Sequence, residues 1–461
     1  MIISDIKNKF IKILGESNVV DDYDIICGYS QDETPDISCL PELVLRPQDT
    51  EQISSIMKIC DKYNIAITIR GGGTSVVGGS VPASDSIVIS LEHLDSIIEI
   101  DPETMTAVLQ PRVITGDINK AAAEYGLFYP VDPASMDSCT IGGNISTSAG
   151  GMKAVKYGTT KDYVMGLTMV LADGSIIKTG GKIKKNAAGY NLAGILVGSE
   201  GTLAIITEII LKLKPKPNFF VSLLVGFDSI QIAARAVSEL LKSGYLPCSI
   251  EFYDRQIIDI IKKTSNHDVP LDDMGAHLIV QFDSRDQEAL DKEYFEAGKF
   301  LMEKGAKDIR VASQRPIEEK LWSIRRGIRD SVREISPTII AEDVAVPINK
   351  ISDLVKRIEE ISRKWQVQIV TFGHAGDGNA HIDIMKGDIP DDIWNNKIDS
   401  IVKDIIRTAI ELGGTISGEH GIGITKNRYL KMQFSNAELE LMRKIKKAFD
   451  PKGLLNPGKA L

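Results

Sequence analysis

The chain has 461 residues, with 54 basic against 63 acidic side chains and a formal net charge of −9. That length suggests two to four domains, and 43% hydrophobic with 25% charged residues excludes a disordered or disulfide-stapled class. The acidic balance, with no lysine- or arginine-rich tract, also argues against nucleic-acid binding. Cys27, Cys39, Cys60, Cys139 and Cys248 are scattered without a CxxC pair. Neither a thiolate metal site nor an iron–sulfur cluster is therefore expected, and a reducing compartment is. The best candidate for a membrane segment, residues 195–213, is broken by Ser199, Glu200 and Glu208. A cytoplasmic protein without an integral membrane segment is the expectation.

In chain order, Ser4 opens a helix with Ile6, Phe10, Ile13 and Leu14 on one stripe and Gly15 at its end. Asp5, Lys7, Lys9 and Lys12 interrupt that stretch too often for a signal peptide. Asp49 and Thr50 cap a second helix carrying Ile53, Ile56, Met57, Cys60 and Tyr63. Strand-like runs follow at residues 66–69, 87–90, 107–110, 168–171 and 203–213. Residues 212–217 (KLKPKP) mark a boundary, because two prolines among lysines stop a strand. Beyond it, strands at 219–226 and 277–282 alternate with helices at 230–242, 287–304 and 351–364. Antiparallel strands with helices on one face is the economical arrangement. From Gly413 onward, glycine-rich and Pro/Asn-rich phrases surround one charged helix, 436–449. The expected domains are 1–215, 216–412 and 413–461.

The first strong signal is Arg70-Gly71-Gly72-Gly73-Thr74-Ser75-Val76-Val77-Gly78-Gly79, straight after a strand. Such glycine density lets several backbone N–H groups converge on a phosphate without Cβ obstruction. No Gly-Lys-Ser/Thr ends it, so it is not a Walker A loop. A strand follows where a Rossmann turn would open a helix, which argues against a nicotinamide dehydrogenase. Two more glycine clusters lie at 140–151 and 198–208. Three in one span imply a single extended ligand containing a pyrophosphate.

The six histidines are His93, His267, His277, His374, His381 and His420. The phrase GHAGDGNAH, residues 373–381, lies between two strand-like runs. A turn there would return His381 to His374, where two imidazoles can share a divalent metal; two polar turn residues solvating themselves is the bland alternative. In GTISGEHGIG, residues 414–423, Glu419 and His420 stand on a glycine-flanked turn. Adjacent residues of an extended segment point to opposite sides. Glu419 would then face a metal and His420 a substrate, or the reverse.

The phrases RGGGTS, TIGGNISTSAGG, KNAAGYNL and GSEGTLAIITE, in this order, resemble the FAD-binding domain of the vanillyl-alcohol-oxidase/PCMH flavoproteins. Within them the chain is most similar to the D-lactate dehydrogenase and glycolate oxidase flavin-subunit branch, over about residues 36–458. The resemblance implies an α+β architecture: a PCMH-type FAD-binding domain, an α+β (ferredoxin-like) cap, and a C-terminal segment returning to the FAD domain. It implies that Arg70, Gly71, Gly72, Gly73, Thr74, Ser75, Gly78 and Gly79 hold the FAD pyrophosphate. Pro133, Ser135, Thr140, Gly142, Gly143, Asn144, Ser146, Ser148, Ala149, Gly150, Gly201 and Ile206 would line the rest, with Asn456 near the flavin. Some relatives attach FAD through a histidine in the first loop; here Gly73-Thr74-Ser75 stands there, and FAD is expected without a covalent link.

The same resemblance makes His374, His381 and Glu419 ligands of a divalent metal (Zn, Fe or Mn) and His420 the active-site base. Arg325, in Trp322-Ser323-Ile324-Arg325, becomes the clamp for the substrate carboxylate, with Arg326 and Arg329 as competitors. Some relatives place a second carboxylate-binding lysine where this chain has Ala341-Glu342-Asp343, which counts against 2-hydroxyglutarate. The implied activity is metal-assisted oxidation of a small D-2-hydroxy acid, D-lactate to pyruvate first. His420 would take the hydroxyl proton while hydride passes to flavin N5, a carbanion route being the harder alternative. Electrons would leave to an electron-transfer flavoprotein, with an iron–sulfur subunit or a quinone as other acceptors. An oxidase using O2, a glycolate enzyme, and a non-catalytic FAD electron carrier are the other readings; the last has no use for the three C-terminal histidines.

Overall fold

The computed structural model describes residues 4–264 and 269–461. It divides into two compact units, one of Met1–Gly150, Thr159–Lys216 and Glu419–Leu461, the other of Gly151–Gly158 and Pro217–Gly418. The first division falls inside the KLKPKP run. Residues 413–418 group with the second unit, and the chain from Glu419 onward groups with the first. His267 lies outside the described residues.

In the first unit, β1 (Val19–Val20), β2 (Leu43–Leu45), β3 (Ala66–Arg70) and β4 (Ser86–Ser90) form a sheet of order β1-β2-β4-β3. Strands β2, β4 and β3 run parallel. Successive parallel strands of one sheet need a crossover, and the helix Thr50–Tyr63 supplies the one from β2 to β3, which lie on either side of β4. Asp49 caps it by accepting from the Gln52 N–H at 2.7 Å. Its Ile53, Ile56, Met57 and Cys60 share a core with Ile67, Ile87, Ile89 and with Ile6, Phe10 and Leu14 of the helix Ser4–Leu14. A second, antiparallel sheet contains β5 (Ile97–Asp101), β6 (Thr106–Leu109), β8 (Val164–Val170), β9 (Ile176–Gly180) and β10 (Ile205–Lys212). The short β7 (Leu127–Phe128) pairs with β11 (Lys214–Pro215). The C-terminal segment docks on the edge of β3, where Ile67 N donates to Leu454 O and Asn456 N to Ile67 O, both at 2.8 Å. Leu455 between them is fully buried in the same core.

The second unit is built on a seven-stranded antiparallel sheet. Its strands are β12 (Phe219–Phe227), β13 (Ser249–Asp254), β14 (Ala276–Ser284), β15 (Ala306–Ala312), β16 (Ile339–Ala345), β17 (Gln368–His374) and β18 (Asn379–Met385), in the order β15-β12-β14-β13-β17-β18-β16. Helices Arg255–Thr264, Arg315–Arg326 and Ile328–Ile335 pack Ile257, Ile258, Leu321, Trp322, Ile328 and Val332 against Tyr253, Ile279, Val370 and Phe372. The alternate residues Leu223, Val225, Leu278 and Val280 are buried as well, and helices Ile230–Lys242 and Gln287–Glu303 pack on β12 and β14. A strand buried at every position is covered on both faces. The expectation of helices on one face therefore gives way to a sheet with cover on both. Residues Gly151–Gly158 join this unit through Asp283, whose buried carboxylate pairs with Lys156 and accepts from Tyr157 Oη at 2.7 Å.

One histidine of this sheet is structural. His277 is fully buried, with Nε2 2.8 Å from Leu271 O and its ring edge-on to Tyr253. Burial pushes the imidazole down to about 4. The unfolded chain, with an imidazole near 6.5, binds a proton first as pH falls, so stability present above pH 6.5 is lost on the way to pH 4. The expected loss is about 3 kcal/mol. Asp254, whose carboxyl burial pushes up to about 7, acts in the opposite sense. The measurement is therefore the urea midpoint against pH for wild type and His277→Gln side by side. The difference between the two should shrink as pH falls through this window; a constant difference would show that His277 does not titrate on unfolding.

Candidate active site

Strands β17 and β18 form a hairpin in which His374 faces Asn379 and Phe372 faces His381. The turn between them needs Gly378, whose φ is +88° and whose Cβ would fall 2.0 Å from Val346 O. Because i and i+2 share a face of a strand, Val370, Phe372 and His374 point the same way, as do His381 and Asp383. The two imidazoles stand 5.2 Å apart, edge to face, each only 6% exposed. They sit within the strands, not in the turn.

Two carboxylates from neighbouring strands flank this pair, and one of them is bonded to its ring. Register places Glu251 of β13 opposite His374, with Oε1 2.7 Å from His374 Nδ1. Its other oxygen lies 2.5 Å from the Arg325 guanidinium. Glu251 is fully buried; burial alone would push its carboxyl up, but His374 and Arg325 together hold it below the ordinary range. A histidine bound through Nδ1 to a carboxylate has a fixed ring and offers Nε2, the arrangement usual for a metal-ligating imidazole. On the other side Asp343 of β16 lies opposite His381, 3.8 Å from its Nδ1. Asp343 also accepts from Asn379 Nδ2 at 3.0 Å, Ser417 Oγ at 3.3 Å and Gly418 N at 3.0 Å. The segment leading into Glu419 is thus tied to the strand carrying Asp343.

The helix Arg315–Arg326 and its continuation Ile328–Ile335 bring two arginines over one ring. Arg325 lies 5.2 Å and Arg329 5.6 Å from the Phe372 centroid. Arg325 is buried by its pairing with Glu251, whereas Arg329 holds Asp383 at 3.2 Å and keeps about a quarter of its side chain exposed. Arg326 points to solvent. A planar fork engaged with an internal carboxylate is a fixed positive charge, not an open clamp.

In the first unit the three glycine clusters converge. A Cβ on Gly71 would lie 2.7 Å from Thr140 Oγ1, and one on Gly72 2.9 Å from Ser138 O. Gly198 N donates to Ile145 O at 2.9 Å and Glu200 N to Ser146 O at 2.8 Å. The first loop closes on itself through Ser75 Oγ, which accepts from Val77 N and Gly79 N; Thr74 and Gly73 are partly exposed beside it. Arg70 donates to Gln31 O at 2.7 Å. Within the second cluster Thr140 caps a short helix, Ile141–Thr147, that contains Gly142, Gly143, Asn144 and Ser146. Ser148, Ala149 and Gly150 follow it, and Pro133 and Ser135 form turns before it. Ile206, within the third cluster, stands on β10. Two residues expected at a ligand act as framework: Asn144 donates to Thr115 Oγ1 at 2.7 Å, and Asn456 links Ile69 N to Glu200 O. The convergence of these segments, with a buried lysine (Lys459) lacking a hydrogen-bond partner among the described residues, suits an extended anionic cofactor such as FAD.

Glu419 and His420 lie on an irregular turn of this unit, a Cβ on Gly150 falling 2.9 Å from Glu419 Oε2. Their side chains converge, His420 Nε2 being 3.9 Å from Glu419 Oε1. The expected divergence to opposite sides is absent because the segment is not extended. Glu251 belongs to none of the sequence motifs; its one signal is a glutamate inside the apolar run SIEFY, since a charge in a buried strand demands a partner.

Comparison with known proteins agrees with this construction. Residues 41–180 match the FAD binding domain, and residues 216–460 match the C-terminal domain of FAD linked oxidases. The chain is 40% identical to glycolate oxidase subunit GlcD of Bacillus subtilis (strain 168), covering 100% of this chain and 97% of that one. It is 35% identical to a D-lactate dehydrogenase of Archaeoglobus fulgidus, over 96% and 98% of the two chains. Identity to a D-2-hydroxyglutarate dehydrogenase of Stutzerimonas stutzeri is 32%, over 96% and 95%. Among solved structures, p-cresol methylhydroxylase superposes with a TM-score of 0.79 at 18% identity, over 99% of this chain and 96% of that one. No helix among the described residues is long and apolar enough to cross a membrane. The fold, the three converging glycine segments and these matches over the whole length agree: the chain belongs to the PCMH-type FAD-linked oxidases and is an FAD-dependent oxidoreductase of that family.

Proposed function

We propose that this protein oxidises a small D-2-hydroxy acid, D-lactate first, to its 2-oxo acid and passes the electrons to a separate carrier. The observation that carries the reading is the His374–His381 pair, 5.2 Å apart, with one ring fixed by a buried carboxylate. A subunit that only carried electrons would have no use for it. The substrates in the relatives' names, glycolate, D-lactate and D-2-hydroxyglutarate, share the 2-hydroxy acid group.

In this reading His374, His381 and Glu419 hold a divalent metal, and two imidazoles with one carboxylate suit Zn, Fe or Mn. Such an ion supplies a Lewis acid that makes a neighbouring hydroxyl more acidic. His420 accepts the hydroxyl proton, and the turn that carries it keeps its imidazole next to Glu419. Arg325 and Arg329, gathered over Phe372, supply positive charge for the substrate carboxylate. Arg325 is oriented by Glu251, and Arg329 is the more open of the two. FAD, when bound, accepts the two electrons and the hydrogen given up by the substrate carbon. The scattered cysteines provide no cluster for onward transfer, so the electrons leave for an outside acceptor, in this reading an electron-transfer flavoprotein or an iron–sulfur subunit, with a quinone as the diffusible alternative.

The competing substrate is glycolate, favoured by the 40% identical glycolate oxidase subunit. Anaerobic mixing of FAD-loaded, metal-replete protein with D-lactate, L-lactate and glycolate separates them through loss of flavin absorbance. Fast bleaching by D-lactate alone is the expected result. Equal or faster bleaching by glycolate moves the assignment to the smaller acid, and none by any of the three overturns the hydroxy-acid reading.

A further inference from the structure

Lys459 is only 3% exposed, and its Nζ has no hydrogen-bond partner among the described residues. Burial pushes the ammonium down to about 8, against the pull of Asp32 and Glu200, while Arg70 adds to the downward push. Both acids already serve backbone donors. Asp32 accepts from Ser80 N at 3.1 Å and Ser80 Oγ at 3.3 Å. Glu200 accepts from Ile422 N at 2.8 Å and Gly423 N at 2.7 Å. A buried ammonium without a hydrogen-bonded partner is costly, and a protein retains one where a charge comes to meet it.

The placement of Lys459 is built, not incidental. Leu454 and Asn456 are strapped to β3 through Ile67, and Asn456 Oδ1 accepts from Ile69 N at 3.1 Å. Lys459 N then donates to Asn456 O at 3.3 Å, and Ala460 N to Gly423 O at 3.2 Å. Strand β3 runs directly into the Arg70–Gly79 loop. Of the three charges that Lys459 senses, two belong to the ends of that loop, Arg70 at its start and Asp32, which holds Ser80, at its finish, and the third, Glu200, belongs to the glycine cluster at 198–208.

We propose that Lys459 is the buried counter-cation of the FAD pyrophosphate, acting with the backbone N–H groups of the Arg70–Gly79 loop. This rests on the FAD-linked family of the chain and not on its hydroxy-acid substrate. The pyrophosphate is favoured over the flavin ring because two of the three neighbouring charges flank the glycine-rich loop. No bond is made or broken; the role is binding.

The test uses the full-length apo-protein and two variants, Lys459→Met and Lys459→Gln, the second kept in case the first does not fold. Affinity for FAD and for ADP is measured by titration, with the flavin reduction potential and the melting temperature of each form. Removing one charge-assisted hydrogen bond should weaken the binding of FAD and of ADP alike by about 10- to 100-fold. The potential of the bound flavin should be unchanged. The apo-variants should melt at or above the wild-type apo temperature, because an unpaired buried charge has gone, and should gain less from added FAD. Unchanged affinity for both ligands would overturn the proposal. So would a lowered potential at unchanged affinity, which would put the ammonium against the flavin ring. Failure of wild type to bind FAD would refute the family reading instead, whereas FAD binding without bleaching by hydroxy acids leaves this proposal standing.

Discussion

Replacing His420 by alanine should slow anaerobic flavin reduction by the preferred hydroxy acid at least about a hundredfold, with FAD content at the wild-type level. His420 belongs to no helix or strand and is not in a hydrophobic core. Its truncation therefore removes a proton acceptor without opening a core cavity, and the variant should fold. Stopped-flow absorbance reads the rate. A half-reaction near the wild-type rate would remove His420 from this role.

Glu251 yields the largest expected loss of stability. Glu251→Ala would leave the buried guanidinium of Arg325 without its carboxylate and His374 without its anchor. Removing one partner of a buried pair costs about 3–5 kcal/mol, which urea unfolding would register as a strongly lowered midpoint. Glu251→Gln retains the shape and an acceptor oxygen for His374 but removes the negative charge. It should be far less destabilising, yet divalent metal should bind about 10- to 100-fold more weakly, because the carboxylate that orients the ring and raises its basicity has gone. Metal titration of the two proteins tests this. Equal metal affinity in Glu251→Gln and wild type would show that His374 is not a ligand tuned by Glu251.

The two substitutions also separate what is local from what is not. Helix limits are legible in the sequence because they rest on neighbours: the helices Ile230–Lys242 and Asn436–Phe449 begin and end where apolar spacing and the Ser229 and Ser435 caps put them. The glycine loops are legible for the same reason, since a backbone without Cβ atoms announces itself residue by residue. Membership of the FAD-linked family follows from the order of four such phrases.

What the side chains in those phrases do is a different matter. By sequence Arg325 is an open clamp, because its partner, Glu251, lies on a strand more than seventy residues earlier. Glu419 and His420 would diverge on an extended backbone, and the turn instead brings them to 3.9 Å. Lys459 ends a phrase, residues 449–459, that by itself reads only as a helix stop followed by turns, because the charges around its ammonium, Asp32, Arg70 and Glu200, lie far away in the chain. Capping, periodicity and glycine tolerance act over a few residues and are determined by the sequence alone. Burial, register and the pairing of charges depend on distant strands, so only the tertiary structure decided which charges are held and which remain to meet a ligand.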